Sequence, residues 1–434
     1  MNRRTLILML SAALVVSIAP FAVATGEGEA ASDEPVTITM WVQNYNGTES
    51  PIEEISTMFA ALYAQAEEMF NVDIVEEYQL GYGEYRDKLV ATAQADALPE
   101  IVSVDNSWFP EMIRLGALQP LDDFWSDADR EDFFPGTISH AIGPDGKIYA
   151  LWFWTDTYLI YYRADLFEAA GIDPLPVDRA LTWDEFTETA MKLNTGDVTG
   201  FMFPAARWAG ASTGMLGMFW GQGGLLFDDA GDFVLDDPDN RQAMIDVLQW
   251  YHDLIYTHGV STRESADWKG GAPPQAFLDG KVAMYLGGTW QVGAIADGAP
   301  AIYEHLAAGF LPQEAGANPA ARNGGYGYGI ATDDPVKKEK AWQVLEFITR
   351  ADAMAQNASA ISSFPTRKSA FDSAKYRPSP ISPAALGQLD SARPTPKSPL
   401  WSTLDELLQI AINKVALDLA TPEEATDEMI QGMR

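Results

Sequence analysis

The stretch IYALWFWTDTYLIYYRADLFEAAG, Ile148 to Gly171, decides the fold because it joins two kinds of secondary structure. It begins as an aromatic and apolar run that is too hydrophobic for a surface loop, which predicts a buried strand. Three polar residues, Thr155 to Thr157, are predicted to interrupt that strand before it resumes. The run from Arg163 then indicates a helix that ends at Gly171, because glycine suits the left-handed conformation found after a helix C-terminus.

An aromatic strand with short polar side chains in its middle also has the composition of a carbohydrate site. Aromatic rings offer apolar faces on which a sugar ring stacks, and carboxyl and hydroxyl groups form hydrogen bonds with its hydroxyls. The alternative is an ordinary core strand in which Asp156 is satisfied by hydrogen bonds within the protein. Taken alone, this segment favours the ordinary core strand.

Upstream of this stretch, strands and helices alternate along the chain. Period-two hydrophobic patterns predict the strands, and apolar residues spaced three and four apart predict the helices. The predicted strands cover 36–42, 72–78 and 99–104, and the predicted helices cover 51–70 and 82–97. This alternation indicates an α/β fold with a mostly parallel sheet, in which ligands bind beyond the carboxyl ends of the strands.

Downstream, the pattern restarts at Thr182, where the sequence TWDEF has the spacing of a capping box and predicts a helix to Leu193. Residues 225–235 predict a β-hairpin that turns at Asp229, and 294–324 read as a low-complexity stretch of Ala, Gly and Pro. Other helices are predicted at 211–220, 236–256, 335–350, 401–419 and 422–433, and other strands at 281–286 and 326–330.

The composition limits the possible partners. The chain has 434 residues, which is enough for two domains, and 47% of them are hydrophobic, which is enough for a large core. Its formal net charge is −34 at pH 7. Such an excess of negative charge argues against nucleic acid or an anionic membrane surface as a partner.

The N-terminus has the pattern of a secretory signal peptide, predicted over 1–24. The basic residues Arg3 and Arg4 precede an apolar run, and Ala22 to Ala24 supply the small residues of a cleavage site. A membrane anchor that is not cleaved is the alternative. The chain has no cysteine, so neither a disulfide nor a lipid-carrying cysteine is available. We therefore expect a mature protein that is free in the periplasm or secreted.

The residue patterns of the common catalytic and metal sites are missing from the sequence. The four histidines are scattered without the spacing of zinc ligands, and neither a G-x-S-x-G motif nor a phosphate-binding glycine loop is present. The 62 acidic residues guarantee that some pair resembles a glycosidase dyad, so that signal carries no information. We expect no catalytic residue, no metal and no cofactor.

The remaining signal is the placement of tryptophan. Six of the 13 tryptophans fall at predicted strand ends or loop tips, where a ligand would be within reach: Trp41, Trp108, Trp154, Trp220, Trp290 and Trp401. For any single one the alternative is a partly buried core indole. Six together favour a site that stacks sugar rings.

Several sequence blocks occur in the order found in one known family. They are LPEIVSVDNSWFPEMIRLGALQPLDDF (98–124), YYRADLFEAAGI (161–172), TWDEFTETAMKL (182–193), GQGGLLFDDAGDFVLDDP (221–238), FLDGKVAMYLGGTW (277–290), GGYGYGIATDDPVKKEKAWQVLEFI (324–348) and FPTRKSAF (364–371). On these blocks the chain resembles family 1 of the extracellular solute-binding proteins of carbohydrate ABC importers, typified by maltose-binding protein. The order of the blocks is more specific than any one of them.

The resemblance implies a two-lobed periplasmic-binding-protein fold, type II-like, in which each lobe is a mixed sheet flanked by helices. About three segments would cross between the lobes and form a hinge that closes on the ligand. We expect the N-lobe to comprise 33–155 and 325–361, and the C-lobe to comprise 156–324 and 362–434. The first crossing would then be the polar centre of the opening stretch.

The resemblance also implies a set of ligand-binding residues. Asp156 resembles a crossing-strand carboxylate that accepts sugar hydroxyls, and Trp290 and Trp401 resemble stacking indoles of the C-lobe. The family often has polar or charged contacts at the position of Ser107 and Trp108, so Asp105 is a further candidate here. The full expected set is Trp41, Gln43, Asn44, Asp105, Trp108, Trp154, Asp156, Trp220, Trp290, Tyr326, Arg367 and Trp401.

Together these observations predict a monomeric, non-enzymatic exported protein that binds a sugar and delivers it to an ABC permease. The many indoles favour a di- or oligosaccharide over a monosaccharide. One alternative is the same fold binding a peptide or a polyamine, and another is a carbohydrate-active enzyme. Iron is a weaker alternative, because Tyr161 and Tyr162 are neighbours in a strand and point to opposite faces.

Overall fold

The computed structural model describes residues 34–43, 46–79, 81–228, 231–398 and 400–434. The predicted signal peptide, Asn44 and the predicted turn residue Asp229 lie outside these ranges. Within them the helices and strands alternate as the sequence predicts, and Val36–Arg434 packs as one unit. None of the described helices has the length and apolar character needed to cross a membrane.

Ten strands in the described residues join into one sheet. They are β1 Val36–Gln43, β2 Val72–Gln79, β3 Ile101–Asp105, β4 Leu151–Arg163, β5 Thr199–Met202, β6 Val282–Gly288, β7 Leu306–Gly309, β8 Ala321–Ile330, β9 Phe364–Pro365 and β10 Ala392–Arg393. Neighbouring strands follow the order β2-β1-β3-β8-β4-β6-β5, with β10 beside β8 and both β7 and β9 beside β4.

Helices flank this sheet along the described chain. The α-helices are α1 Glu53–Phe70, α2 Tyr82–Gln94, α3 Phe109–Arg114, α4 Asp127–Arg130, α5 Pro135–His140, α6 Ala164–Ala170, α7 Trp183–Leu193, α8 Ala209–Gly221, α9 Pro238–Tyr256, α10 Gln275–Leu278, α11 Val292–Gly298, α12 Pro300–Tyr303, α13 Pro335–Ile348, α14 Ala351–Ala360, α15 Ser382–Asp390, α16 Trp401–Ala416 and α17 Pro422–Gly432. Short 3-10 helices follow β3 at Asn106–Trp108 and β6 at Thr289–Gln291.

Strand β4 belongs to two lobes. Its first half, up to Thr157, pairs antiparallel with β8, and its second half, from Tyr158, pairs with β6 and β7. Side chains before this point pack in a core formed largely by β1, β3, β8 and helices α1 and α13, which defines the N-lobe. Side chains after it pack in two cores on opposite faces of β4 and β6, which define the C-lobe.

Two local predictions are confirmed by the backbone geometry. Thr182 caps α7, and its side chain and that of Glu185 each bond the other residue's backbone N–H, so the capping box is complete. Gly171 ends α6 in the left-handed region with φ of 66°, where a residue with a Cβ would be strained. Both features depend only on residues close in sequence.

The predicted interruption of the opening strand is wrong, because β4 is continuous from Leu151 to Arg163. The hydroxyls of its polar centre are satisfied by the neighbouring strand. Thr155 Oγ1 donates to the carbonyl of Gly324 at 2.9 Å, and Thr157 Oγ1 donates to the carbonyl of Arg322 at 3.1 Å. A buried strand therefore tolerates these residues without a break.

The stretch 294–324 is more ordered than its composition suggests. It contains α12, β7, most of α11 and the start of β8. Buried alanines such as Ala308 and Ala321 pack in the C-lobe cores, since their small side chains allow elements to approach closely. The predicted hairpin at 225–235 is reduced, within the described residues, to one bridge between Phe227 and Phe233.

Candidate ligand-binding cleft

A cavity of about 1280 Å³ lies between the cores of the two lobes. It opens beyond the carboxyl end of β3, where Asp105 is followed by the Asn106–Trp108 turn, and beyond the end of β6, where Trp290 follows the strand. This is the position at which α/β sheets bind ligands, because strand ends expose loops and backbone groups there.

The antiparallel pairing of β4 with β8 supplies the centre of the cleft. Alternate residues of a strand face the same side, and on β4 these are Trp154, Asp156 and Tyr158. Arg322 and Tyr326 face the same side from β8, with Gly324 between them directly opposite Asp156. A β-bulge at Trp152–Trp154 sets this register.

Gly324 leaves the space that the polar groups occupy. A Cβ built on it would lie 2.2 Å from Arg322 Nη1 and 2.4 Å from Asp156 Oδ1. Any other residue at this position would therefore push apart a carboxylate and a guanidinium that line the cleft.

The N-lobe side of the cleft, called here the first wall, consists of the aromatic residues Tyr82, Trp108, Trp154 and Tyr326. Trp154 and Tyr326 are stacked, with ring centroids 5.4 Å apart and planes 29° apart. Trp108 meets Tyr326 edge to face, with ring centroids 6.2 Å apart, and its ring centroid lies 4.8 Å from that of Tyr82. Tyr82 has 42% of its surface exposed and is the most accessible member.

The C-lobe side, called the second wall, consists of Tyr158, Trp208, Trp290 and Trp401. Trp290 meets Tyr158 edge to face at 5.4 Å, and its Nε1 donates to the carbonyl of Gly271 at 3.0 Å. Trp208 has 44% of its surface exposed, with Lys269 Nζ 5.2 Å from its ring centroid. The two walls therefore each present an exposed ring.

The floor cluster, defined here as Asp105, Asp156, Arg322 and Asp405, carries the charge of the cleft. Arg322 Nη1 lies 3.7 Å from Asp156 Oδ1, and its Nη2 donates to Asn106 Oδ1 at 3.0 Å. Asp105 Oδ1 accepts hydrogen bonds from the N–H and Oγ of Ser107. Asp156 Oδ1 is buried and has no hydrogen-bond partner among the described residues.

The pKa of every member of the floor cluster is shifted by burial or by the charges of its neighbours. It raises the pKa of Asp156 to about 7, with Arg322 opposing the shift and the carboxyl of Asp105 adding to it. It raises the pKa of Asp105 and of Asp405 as well. Burial alone would lower the pKa of Arg322, but the carboxylates of Asp156 and Asp105 outweigh it and raise that pKa. Three acids thus share one cation.

His140 closes the cleft near Asn106. Its Nε2 lies 2.8 Å from the carbonyl oxygen of Asn106, so Nε2 carries the proton and Nδ1 is an acceptor. Nδ1 has no hydrogen-bond partner in the described part of the chain. Burial, together with the charges of Lys397 and Arg322, lowers the pKa of His140 to about 3, so the ring is neutral at pH 7.

Not all expected site residues lie at the cleft. Those that line it are Asp105, Trp108, Trp154, Asp156, Trp290, Tyr326 and Trp401. Gln43 lies behind the first wall, where its Oε1 accepts a hydrogen bond from the hydroxyl of Tyr326 at 3.2 Å. Asn44 lies outside the described residues.

Three expected residues, Trp41, Trp220 and Arg367, lie away from the cleft lining. Trp41 packs in the N-lobe core against Tyr85, with Lys88 Nζ 3.8 Å above its ring, because β1 directs it toward α2. Trp220 ends α8 inside the C-lobe core.

Arg367 is likewise not a cleft residue. Its guanidinium forms a two-pronged ion pair with Asp129, at 2.6 and 2.9 Å, and lies over the ring of Phe133. Asp129 therefore balances the charge of Arg367 away from the cleft lining.

Four further residues line the cleft although they are not among those expected from the sequence: Arg322, Tyr158, Trp208 and Asp405. A usable signal existed for the first two, because alternate residues of two paired strands face one side. The patterns Trp154-x-Asp156-x-Tyr158 and Arg322-x-Gly324-x-Tyr326 would have placed them beside the residues already chosen. Trp208 and Asp405 lie on a loop and a helix, and no local pattern distinguishes them.

No group of three or more acidic or histidine side chains in the described ranges is close enough to hold a metal ion. The arrangement is that of a binding site: stacking surfaces on both sides, and hydrogen-bonding groups at the centre.

Comparison with known proteins agrees with this geometry. Residues 61–384 match the sequence profile of the bacterial extracellular solute-binding proteins. The chain belongs to this family. A solved structure similar to it is the maltose-bound MalE3 of T. maritima, with 25% identity and a TM-score of 0.75 over 92% of this chain and 99% of that one. The two-lobed α/β fold expected from the sequence is confirmed.

Two further relatives of this solute-binding protein are named for the sugars that they bind. The arabinooligosaccharide-binding protein of Halalkalibacterium halodurans is 26% identical over 274 residues, covering 60% of this chain and 56% of that one. The maltodextrin-binding protein MdxE of Bacillus subtilis is 25% identical over 272 residues, covering 61% and 62%.

Proposed function

We propose that this chain is the exported substrate-binding component of an ABC importer, which binds a carbohydrate between its lobes and delivers it to a membrane permease. The single observation that supports this most is the pair of aromatic walls facing each other across the cleft. Sugar rings have apolar C–H faces that stack on such rings. The sugar-binding names of its relatives point the same way.

The expected ligand is a di- or oligosaccharide. A cavity of about 1280 Å³ is larger than one sugar ring requires. Trp154 and Tyr326 would hold one part of the ligand, Trp290 and Trp401 another, and Trp208 an outer part. The hydroxyls of the sugar would bond to Asp105, Asp156 and Arg322 at the floor.

Closure would follow from contacts on both lobes. We propose that the N-lobe comprises 33–155 with 325–361, and that the C-lobe comprises 156–324 with 362–434. Trp154 packs in the N-lobe core and Tyr158 in the C-lobe core, which supports the first boundary. A ligand that touches both walls favours the closed form by its differential affinity.

In this proposal the protein is a monomer in the periplasm or outside the cell, and its contact with the permease is transient. It performs no reaction, so its ligand is released unchanged. The strongly negative net charge keeps it soluble and away from anionic surfaces.

The test is thermal unfolding of the mature protein against sugars, peptides and polyamines, followed by calorimetry on any ligand found. Ligand at 100 times its dissociation constant adds about 2.7 kcal/mol of stability. Trp290→Ala and Asp156→Ala are each expected to weaken binding at least about tenfold. A response to peptides or polyamines alone would reject the carbohydrate, and cleavage products after incubation would reveal an enzyme.

A further inference from the structure

The charge of the floor cluster defines the ligand more narrowly. Asp105 and Asp156 are buried, Asp405 is half-buried, and the buried Arg322 is the cation that faces all three. With every acid ionised the floor has two negative charges in excess. Burying unpaired charge is costly, so near pH 7 the empty cleft takes up a proton on Asp156, and a cation on the ligand can replace that proton.

Apart from Arg322, no basic residue lining the described part of the cleft forms an ion pair with an acid of the floor cluster. Arg86 is paired with Glu111 at 2.6 Å. Lys397 donates to the backbone carbonyls of Ser139 and Ile142, across the cleft from its own segment. Arg114 and Asp145, the remaining charged residues that line the cleft, are exposed at its rim.

The buried side-chain atoms of the described cleft lining that lack a hydrogen-bond partner can all act as acceptors. Among the described residues that line the cleft, Asp156 Oδ1 and His140 Nδ1 are the buried side-chain atoms without a hydrogen-bond partner. His140 Nδ1 is an acceptor because the proton of His140 is on Nε2, and Asp156 Oδ1 is an acceptor when its carboxyl is ionised. The cleft therefore requires hydrogen-bond donors from its ligand.

A protonated amine meets both requirements. It brings one positive charge and three donors and has no acceptor, whereas a hydroxyl is neutral and is both donor and acceptor. The aromatic walls add to this preference, because the faces of tryptophan and tyrosine attract cations. An acidic sugar would be repelled by the same floor.

Resting on the proposed function, we infer that the ligand is a sugar that carries a free amine, bound with its ammonium group at the floor cluster between Asp156 and Asp105. The aromatic walls recognise the sugar rings, and the floor selects the charge. Neutral sugars of the same shape bind by the same stacking contacts but leave the excess carboxylate unpaired.

The test uses matched sugars that differ in one substituent: hydroxyl, free amine or N-acetylated amine on the same ring positions. Mono- and oligosaccharides of several linkages are measured by calorimetry near pH 7. For each sugar framework that binds, the form with the free amine is expected to bind at least about tenfold more tightly than both neutral forms. The reason is that a charge-assisted hydrogen bond is stronger than a neutral one.

Variants identify the source of the preference. Asp156→Asn keeps the shape and removes the charge, so the ratio between the affinity for the amine and the affinity for the neutral sugar is expected to fall from at least about tenfold to nearly one. Asp197→Asn changes the net charge equally at an exposed site outside the cleft lining and is expected to keep the preference. Thermal unfolding of both variants verifies that they are folded.

The outcomes separate the two proposals. Binding of neutral sugars as tight as that of their amines would overturn the amine and keep carbohydrate binding. A preference that survives Asp156→Asn would overturn the role of the floor cluster. Absence of binding to every sugar, neutral or amino, would overturn both.

Discussion

The two walls of the cleft are built differently, although both consist of aromatic rings. In the first wall Trp154, Tyr326 and Trp108 are buried, pack on one another and are fixed by hydrogen bonds to Asn46 and Gln43. In the second wall Tyr158 and Trp401 are buried in the C-lobe core, but Trp290 is only partly buried and Trp208 has 44% of its surface exposed. Apart from the exposed Tyr82, the first wall is therefore part of a core before any ligand arrives.

This difference separates stability from binding. Rings that are already desolvated contribute to folding and offer the ligand a preorganised surface. An exposed ring contributes little to folding, and the free energy of its burial becomes available when the ligand covers it. We expect substitution of a buried ring of the first wall to lower mainly the free energy of unfolding. Substitution of the exposed ring of the second wall should lower mainly the affinity for sugar.

The largest effect is expected for Trp154→Ala. Removing a buried indole from the N-lobe core costs about 3–5 kcal/mol of the free energy of unfolding, because a cavity remains. Urea unfolding at constant pH measures it. Trp154→Phe retains a ring but loses the bond from Nε1 to Asn46, and it remains measurable if the alanine variant does not fold. A loss below about 1 kcal/mol for the alanine variant would show that the first wall is not structural.

Asp156, in the floor cluster between the walls, should make the free energy of unfolding depend on pH. Because the native pKa of Asp156 is about 7 and that of an exposed carboxyl is 3.8, the native state holds a proton that the unfolded state has lost between these values. The free energy of unfolding therefore falls as pH rises from about 4 to about 7, by at most about 1.4 kcal/mol per pH unit from this group.

Asp156→Asn should flatten that part of the profile, which urea unfolding at a series of pH values measures. The other buried acids remain, so the informative quantity is the difference between variant and wild type. Asp197→Asn, at an exposed position, is the control for the loss of one carboxyl elsewhere in the protein. Parallel profiles for wild type and Asp156→Asn would contradict the raised pKa.

Trp208→Ala tests the second wall. Affinity for the sugar is expected to fall about tenfold, or about 1.4 kcal/mol, while the free energy of unfolding changes by less than about 0.5 kcal/mol. Calorimetry and urea unfolding measure the two quantities. Tyr256→Ala, which removes a partly exposed ring outside the cleft lining, should leave affinity unchanged. If Trp208→Ala costs stability and not affinity, the contrast between the walls is wrong.

The smallest effect is expected for Tyr326→Phe, which keeps the stacked ring and removes the hydroxyl bonded to Gln43. One hydrogen bond of this kind contributes about 1 kcal/mol to the free energy of unfolding. Affinity should fall less than in Trp208→Ala, since the ring itself remains. A larger loss of affinity would indicate that the hydroxyl bond fixes the orientation of the first wall.

Much of the fold could be predicted because its causes are local. The capping box at Thr182 and the glycine after α6 depend on residues within four positions of each other. The alternation of strands and helices follows from hydrophobic periods of two and 3.6, which can be counted in the sequence. Errors arose where composition misled: alanine and glycine at 294–324 suggested a low-complexity stretch, yet small side chains are what close packing there requires.

The tryptophans illustrate why the site was only partly predictable. Trp41 and Trp154 both lie on strands beside polar residues, and both read as site residues. The core that covers Trp41 is formed by α2, whose Tyr85 and Lys88 are more than 40 residues away in sequence. Which side of a strand meets a helix and which meets solvent depends on packing, and no pattern within the strand encodes it.

The sequence by itself determined that the chain forms an α/β protein with a carboxylate between aromatic residues at Asp156. Only the tertiary structure decided that Asp156 shares its charge with Arg322, 166 residues later. The antiparallel register of β4 and β8 places Gly324 opposite Asp156, and the missing side chain lets the guanidinium approach to 3.7 Å. Register depends on hydrogen bonds between distant segments, so the charge of the cleft exists only once the sheet has formed.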